Sequence, residues 1–137
     1  KYPCLVSRMS PVTVAGDHAF EVIDGFLWQS DGTAKGTKPH EVLAEADAGT
    51  FRVLDGRLVL GATSLQGVQQ LWETDGTVSG THALSDGTLD QPFHVLGPPV
   101  QFAGALFVAA DRNPAGPQLW RIANGQTTQV TALRHPD

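Results

Sequence analysis

Three tryptophans, Trp28, Trp72 and Trp120, are the residues of this chain best suited to bind a ligand. An indole ring in an open pocket can stack against a sugar, and one ring per repeated unit would suit a glycan-binding protein. Each Trp directly follows a Leu within a short apolar run, however, and this context favours rings packed in a hydrophobic core. We therefore expect core residues and keep the three tryptophans as candidate glycan-binding residues.

Two aspartates, Asp31 and Asp75, each lie three residues after a tryptophan and are the candidate metal ligands. A calcium site needs several converging oxygen ligands, whereas each Asp-Gly-Thr sequence offers one carboxylate and one hydroxyl. An Asp at the start of a turn commonly accepts a hydrogen bond from the backbone two residues further on. The favoured interpretation is that both aspartates cap turns, and we expect no metal and no other cofactor.

Residues of the kinds used in catalysis form no recognisable motif. The five histidines show no pair two or four residues apart, as chelation on one strand or helix requires, and we expect most of them to be solvated or singly hydrogen-bonded. Ser64 lies outside a Gly-x-Ser-x-Gly sequence, and there is no Walker loop or dinucleotide-binding glycine pattern. We expect a noncatalytic protein, although catalytic groups can converge from loops, here residues 63–68 and 111–117.

Composition and charge limit both the fold class and the partners. The net charge is −5 and the nine Lys and Arg residues are dispersed, which does not suit a nucleic-acid-binding surface. The longest apolar run, residues 105–110, is far shorter than the roughly 18 residues of a membrane span. With 15 Gly and 9 Pro, the chain favours a turn-rich all-β fold over a helical bundle.

Cys4 is the single cysteine, so the sequence offers no internal disulfide and no cysteine-only metal site. It could be an inert, partly buried thiol, a crosslink to another chain or a reactive thiol, and the inert thiol is favoured. The chain begins at Lys1 without an apolar leader, so we expect an export signal to have been removed or to lie outside it.

A repeat places the tryptophans and aspartates in one frame. Residues 27–37 (LWQSDGTAKGT) return as residues 71–81 (LWETDGTVSGT), with seven of eleven positions identical, and a degraded third copy follows at residues 119–128. The tryptophans lie 44 and 48 residues apart. This period is close to that of a four-stranded propeller blade and is too long for a leucine-rich or ankyrin unit.

Each copy is preceded by two apolar runs joined by a glycine-containing turn, which predicts a β-hairpin. The paired runs are residues 11–15 and 18–23, residues 51–54 and 57–62, and residues 100–103 and 105–110. The Leu-Trp run supplies a third strand, and a more polar outer strand follows, at residues 81–85 and 127–131 in the later copies. Each unit is therefore predicted to be a four-stranded meander.

Three segments fit the repeat less well. Residues 20–25 also match residues 51–56, an alignment on which the first unit lacks one strand. Residues 39–46 have the composition of a short helix, but the repeat places an outer strand and a link there, and we let the repeat decide. Residues 86–99, with several Gly and Pro, are predicted to be a long connection without regular structure.

Apolar residues on consecutive strand positions predict sheets that are covered on both faces. A sheet with one wet face alternates apolar and polar residues, whereas residues 58–60 and 106–108 are apolar throughout. Radially stacked blades bury both faces of each sheet. We predict an all-β partial β-propeller of about three four-stranded antiparallel blades. Its divisions are an N-terminal segment (residues 1–10), blade 1 (11–48), blade 2 with a linker (49–91) and blade 3 (92–137).

The two full copies resemble the ELWxTDGTxxGT repeats of bacterial secreted and cell-surface proteins. The resemblance covers about residues 11–133 and implies a β-propeller-like fold, an extracellular, periplasmic or cell-surface location and an interaction role without a named reaction. The chain departs from the family pattern at Phe26, Gln70 and Gln118, where the family usually has Glu. Its third copy also lacks the Asp-Gly-Thr and Gly-Thr steps.

Three blades are fewer than the roughly four to eight that close a propeller. An open arc would expose an apolar face at each end, which is an aggregation hazard. We expect the missing blades to come from another chain, most simply a second copy that makes six blades, or from further polypeptide. The sequence thus favours a noncatalytic protein–protein interaction or structural module of an exported or surface assembly. A glycan-binding propeller lectin with about one site per blade is the alternative.

Overall fold

A computed structural model describes residues 9–134 of the chain, so the questions about Cys4 and His135 lie outside the described residues. This part of the chain is built from fourteen β-strands and one 3₁₀ turn at Ala48–Thr50, which confirms the all-β prediction. The strands are β1 (Thr13–Ala15), β2 (His18–Ile23), β3 (Phe26–Ser30), β4 (Lys38–Pro39), β5 (Leu43–Ala46), β6 (Arg52–Leu54), β7 (Arg57–Ser64), β8 (Gln69–Thr74), β9 (His82–Ala83), β10 (His94–Val95), β11 (Val100–Phe102), β12 (Ala105–Arg112), β13 (Gly116–Ala123) and β14 (Gln126–Gln129).

Each of the three sequence units forms consecutive antiparallel pairs. Unit 1 comprises β1 to β4, unit 2 comprises β6 to β9, and unit 3 comprises β11 to β14. Thr13 pairs with Phe20 in unit 1, and Arg52 pairs with Val59 at the equivalent position in unit 2. The first unit therefore has its first strand. The alternative alignment of residues 20–25 with residues 51–56, on which that strand is missing, is wrong.

Two further strands lie outside the three units. Residues 39–46 form no helix, in agreement with the choice of the repeat over their composition, and residues 43–46 form β5, which pairs with the second half of β7. Residues 94–95 form β10, which pairs with β12, so the prediction of no regular structure in residues 86–99 is wrong there. The strand β6 pairs only with the first half of β7, so the second half has backbone groups that need a partner on the same edge. The pairing of β5 with that half outweighs the helix propensity of residues 43–46.

The strands assemble into two antiparallel sheets. Units 1 and 2 belong to one nine-stranded sheet, joined through β5 by the pair Phe26–Glu45, and unit 3 with β10 forms a five-stranded sheet. The described strands do not close into a barrel or a ring. The expectation of three separate sheets therefore fails at the junction of units 1 and 2.

Two-residue turns close four of the hairpins, at residues 24–25, 55–56, 103–104 and 124–125. Both residues of each turn have positive φ, for example 52° at Asp55 and 73° at Gly56. This is the backbone of a primed turn, whose twist matches that of antiparallel strands. Asn and Asp tolerate the first position, whereas Ala103, with φ of 53°, gains nothing from its side chain there.

The strand register gives each unit two distinct faces. We call one the Leu face, because it carries the Leu that precedes each Trp, and the other the Trp face. The Leu-face residues are Phe20, Val22 and Leu27 in unit 1, Val59 and Leu71 in unit 2, and Phe107 and Leu119 in unit 3. The Trp-face residues are Ala19, Glu21, Ile23 and Trp28, then Leu58, Leu60, Ala62 and Trp72, then Leu106, Val108, Ala110 and Trp120.

Two hydrophobic cores lie between successive units, and we call each contact a seam. In the first seam the Leu face of unit 1 packs against the Trp face of unit 2, with Leu27 and Leu60 almost completely buried. In the second seam the Leu face of unit 2 packs against the Trp face of unit 3, around Leu71 and Trp120. Unit 2 is therefore covered on both faces, as the apolar run at residues 58–60 predicted.

Candidate functional site

The three tryptophans lie in three successive units and do not converge on one pocket. Trp120 is 6 % exposed, its Nε1 donates to Ala110 O at 3.3 Å, and its ring meets that of Phe93 edge-on. Trp72 donates in the same way to Ala62 O at 3.1 Å and packs against the first core. Trp28 is partly exposed beside a groove of about 120 Å³ on the Trp face of unit 1.

The two candidate metal ligands have the same surroundings in units 1 and 2. Asp31 Oδ1 accepts hydrogen bonds from the Thr33 amide at 2.9 Å and the Thr33 hydroxyl at 2.6 Å, and Asp75 accepts the same pair from Thr77. The Thr hydroxyl is the main cause that lowers the pKa of each aspartate. Both carboxylates thus cap their turns, and residues 9–134 contain no cluster of three or more metal-binding side chains.

The Gly-Thr step of the repeat has a steric cause in these turns. A Cβ on Gly36 would lie 2.0 Å from Asp31 Oδ1, and a Cβ on Gly80 would lie 2.1 Å from Asp75 Oδ1. The capping carboxylate therefore occupies the space that a side chain would need. Unit 3 lacks the capping Asp and replaces the whole loop with the two-residue turn at Asn124 and Gly125.

His40 is an exception to the expectation that most of the histidines are solvated or singly hydrogen-bonded. It is 4 % exposed, and its Nδ1 accepts hydrogen bonds from the amides of Val42 and Leu43, each at 3.0 Å. Because Nδ1 accepts, the proton is on Nε2, which donates to Thr74 Oγ1 at 2.9 Å. Thr74 then donates to Thr81 Oγ1 at 2.8 Å. One directed chain of hydrogen bonds therefore links unit 1 to unit 2.

Burial is the main cause that lowers the pKa of His40, to about 4. The carboxylates of Glu41 and Asp75 oppose this shift, and His18 adds to it. The neutral imidazole is thus built into the first seam. Sequence reasoning missed this residue because its partner Thr74 is 34 residues away and nothing in the spacing marks the pair.

The loops considered for catalysis hold structural contacts. Ser64 is 4 % exposed, and its hydroxyl accepts a hydrogen bond from the Val68 amide. Arg112 pairs with Asp86 Oδ1 at 2.8 Å and lies over the ring of Phe93. The Ser64 contact closes the β7–β8 turn, and the Arg112 contacts join the 111–117 loop to the second seam. The noncatalytic expectation stays a prediction.

Apolar residues are exposed on both end faces of the stack. On the Leu face of unit 3, Leu119 is 37 % exposed, whereas its equivalents Leu27 and Leu71 are at most 1 % exposed. Phe102, on the same face and in contact with the Phe107 ring, is 67 % exposed. These positions are core positions in the other two units.

The Trp face of unit 1 forms the opposite end. Phe26 is 48 % exposed and Val14 is 64 % exposed, and both lie on the same side of the sheet as Trp28. Glu21 pairs with Trp28 across the strands and stands where unit 2 has Leu60. This end is therefore apolar with one carboxylate near its centre.

Comparison with known protein families, with curated proteins and with solved structures finds no match to this chain. Among residues 9–134, no helix is long and apolar enough to cross a membrane.

Proposed function

We propose that this chain is a noncatalytic protein–protein interaction module of an exported or surface assembly, built as a partial β-propeller of three blades. The four-stranded pairing in each unit, the 44- and 48-residue spacing and the face-to-face seams support this architecture. The ELWxTDGTxxGT resemblance supports the location.

The observation that carries the proposal is the exposure of core positions at the two ends of the stack. Leu119 and Phe102 on one end, and Phe26 and Trp28 on the other, offer the apolar surface that a protein interface buries at its centre. An isolated protein rarely leaves such a surface uncovered, because it promotes aggregation. Docking of protein subunits on these ends is the role that uses it.

Co-purification from the cells that make the protein tests this proposal. A tagged chain should retain a stoichiometric protein partner, Leu119→Asp should lose it, and Leu65→Asp should keep it. Leu65 is a matched control because it is 61 % exposed in the β7–β8 turn, away from both end faces. A wild-type chain that neither retains a partner nor self-associates would contradict the interaction role.

A glycan-binding lectin is the second candidate, and the partly exposed rings of Trp28 and Trp72 favour it. Trp28 borders a groove that also contains Glu21 and Ser30, and Trp72 lies at the rim of an open groove beside Ser64. Titration of tryptophan fluorescence with a panel of glycans tests this role. Saturable quenching that Trp28→Phe or Trp72→Phe removes would favour the lectin, whereas an unresponsive spectrum would contradict it.

A further inference from the structure

We infer that the chain pairs head to tail with a second copy of itself, the Leu face of unit 3 in each copy packing against the Trp face of unit 1 in the other. This inference rests on the proposed function and names its partner. Two such seams, related by a twofold axis, would close a ring of six units, within the roughly four to eight of closed propellers.

The chain itself contains the template for this contact twice. In both internal seams the Leu face of one unit meets the Trp face of the next, and never a face of its own kind. Leu27 and Leu71 fill these seams from one side, and Trp72 and Trp120 lie on the other. The open ends leave Leu119 without a following Trp face and Trp28 without a preceding Leu face. A second copy supplies both.

Several end positions keep the residue type found at the internal seams. Leu119 repeats the residue type of Leu27 and Leu71, and Phe107 repeats that of Phe20. The opposite end keeps Trp28 at the position of Trp72 and Trp120. An exposed strand face with no partner would have no need of these large apolar side chains, which cost solubility.

A polar contact across the first seam indicates how the ends align. Gln29 Nε2 donates to Gly76 O at 2.8 Å, from the Leu face of unit 1 to the Asp-Gly-Thr turn of unit 2. Arg121 occupies the Gln29 position in unit 3, and Gly32 occupies the Gly76 position in unit 1. In the paired copies Arg121 would therefore reach the turn of the second copy that carries Asp31.

Charges of opposite sign lie near the positions that the proposed seam would align. Arg121 lies on the Leu face of unit 3, which also carries Asp111 further along β12. Glu21 lies on the Trp face of unit 1 and Asp31 on its turn, which also carries Lys35. In unit 2 the position of Glu21 is held by Leu60, which is fully buried. A carboxylate there is tolerated in a seam that brings a guanidinium to it, and such complementarity sets the alignment of an interface.

Mass in solution gives the first test. Sedimentation equilibrium of the full chain should give twice the chain mass of 14.5 kDa, with no larger species as concentration rises. Leu119→Asp should give a monomer, and Trp28→Asp should do the same. Phe26→Asp is a second variant on the same end face as Trp28, at a side chain that is already 48 % exposed. Circular dichroism checks that each variant folds. Leu65→Asp is the control that should remain a dimer.

Mixing two variants tests the head-to-tail arrangement. Each Leu119→Asp or Phe26→Asp chain keeps one intact end, so an equimolar mixture should form a heterodimer through the one seam that pairs both intact ends. If the contact instead joined two identical faces, one of the variants would stay a dimer and mixing would restore nothing. That result would overturn the head-to-tail arrangement.

Charge reversal tests the alignment independently of apolar area. Arg121→Glu should raise the dimer dissociation constant at least tenfold, and adding Glu21→Arg in the same chain should recover part of the loss. Unchanged dissociation constants in all these variants would overturn the proposed alignment.

The state of the wild-type chain separates self-pairing from the broader interaction role. A wild-type monomer that retains a different stoichiometric partner through Leu119 would refute self-pairing and leave the interaction role standing. A wild-type monomer without any partner would refute both.

Discussion

The buried imidazole of His40 predicts that the protein loses stability as pH falls from about 7 to about 4. In the unfolded chain a histidine takes up a proton near its ordinary pKa of 6.5, whereas in the folded protein the pKa is about 4. Between these values the unfolded state binds more protons than the folded state. Stability is therefore greatest above pH 6.5 and decreases as pH falls through this interval.

The pKa difference sets the size of this loss. At about 1.4 kcal/mol per unit of pKa shift, His40 contributes a loss of about 2 to 3 kcal/mol between about pH 7.5 and about pH 4.5. Most of this interval lies above the range in which Asp31 and Asp75 take up protons, because their pKa values are lowered from 3.8. Histidine protonation is thus separable from the acid titration of the turn aspartates.

Urea unfolding followed by tryptophan fluorescence measures this effect at several pH values. His40→Gln should be less stable than the wild type at neutral pH, because the Thr74 and amide contacts change, but its free energy of unfolding should vary little between pH 7.5 and 4.5. His82→Gln is the matched control, since His82 is exposed on β9 and should keep the wild-type slope. Equal slopes in wild type and His40→Gln, or an NMR titration of His40 near 6.5, would refute this account.

Three substitutions test other features, each by thermal and urea unfolding. Gly80→Ala places a Cβ against the Asp75 carboxylate and should cost on the order of 1 to 3 kcal/mol, whereas Gly97→Ala, with open space around it, should cost little. Ala103→Gly should stabilise by about 1 kcal/mol, because φ of 53° is strained for Ala; no gain would contradict the turn assignment. Leu60→Ala, at a fully buried seam position, should cost about 2 to 5 kcal/mol, and a smaller loss would indicate a loosely packed seam.

The strands of the three units could be predicted from the sequence because their signals are local. Asp55-Gly56 between two apolar runs specifies a primed turn and therefore a hairpin, and the Leu-Trp spacing repeats that arrangement along the chain. Consecutive apolar residues at 58–60 also indicated that unit 2 has two covered faces. These features depend on neighbours within a few residues, so a single sequence contains them.

The features that escaped prediction depend on distant residues. The repeat predicted an outer strand and a link at residues 39–46, but not the pairing of residues 43–46 with the distant edge of β7. His40 depends on Thr74, and Gln29 depends on Gly76, both on the far side of a seam. The sequence predicted an exposed apolar face at each end of an open three-unit stack, but the local context of Leu119 does not distinguish it from the two buried leucines.

The Leu face and the Trp face of a unit differ, so the stack has a direction: the Leu face of each unit packs against the Trp face of the unit that follows. Each unit accepts a neighbour on one side and offers the complementary surface on the other, in the manner of a monomer in a polar filament. Duplication or loss of one internal unit of about 45 residues would again place a Leu face against a Trp face at the new junction. The stack can therefore change in length by whole units and keep the direction of its seams.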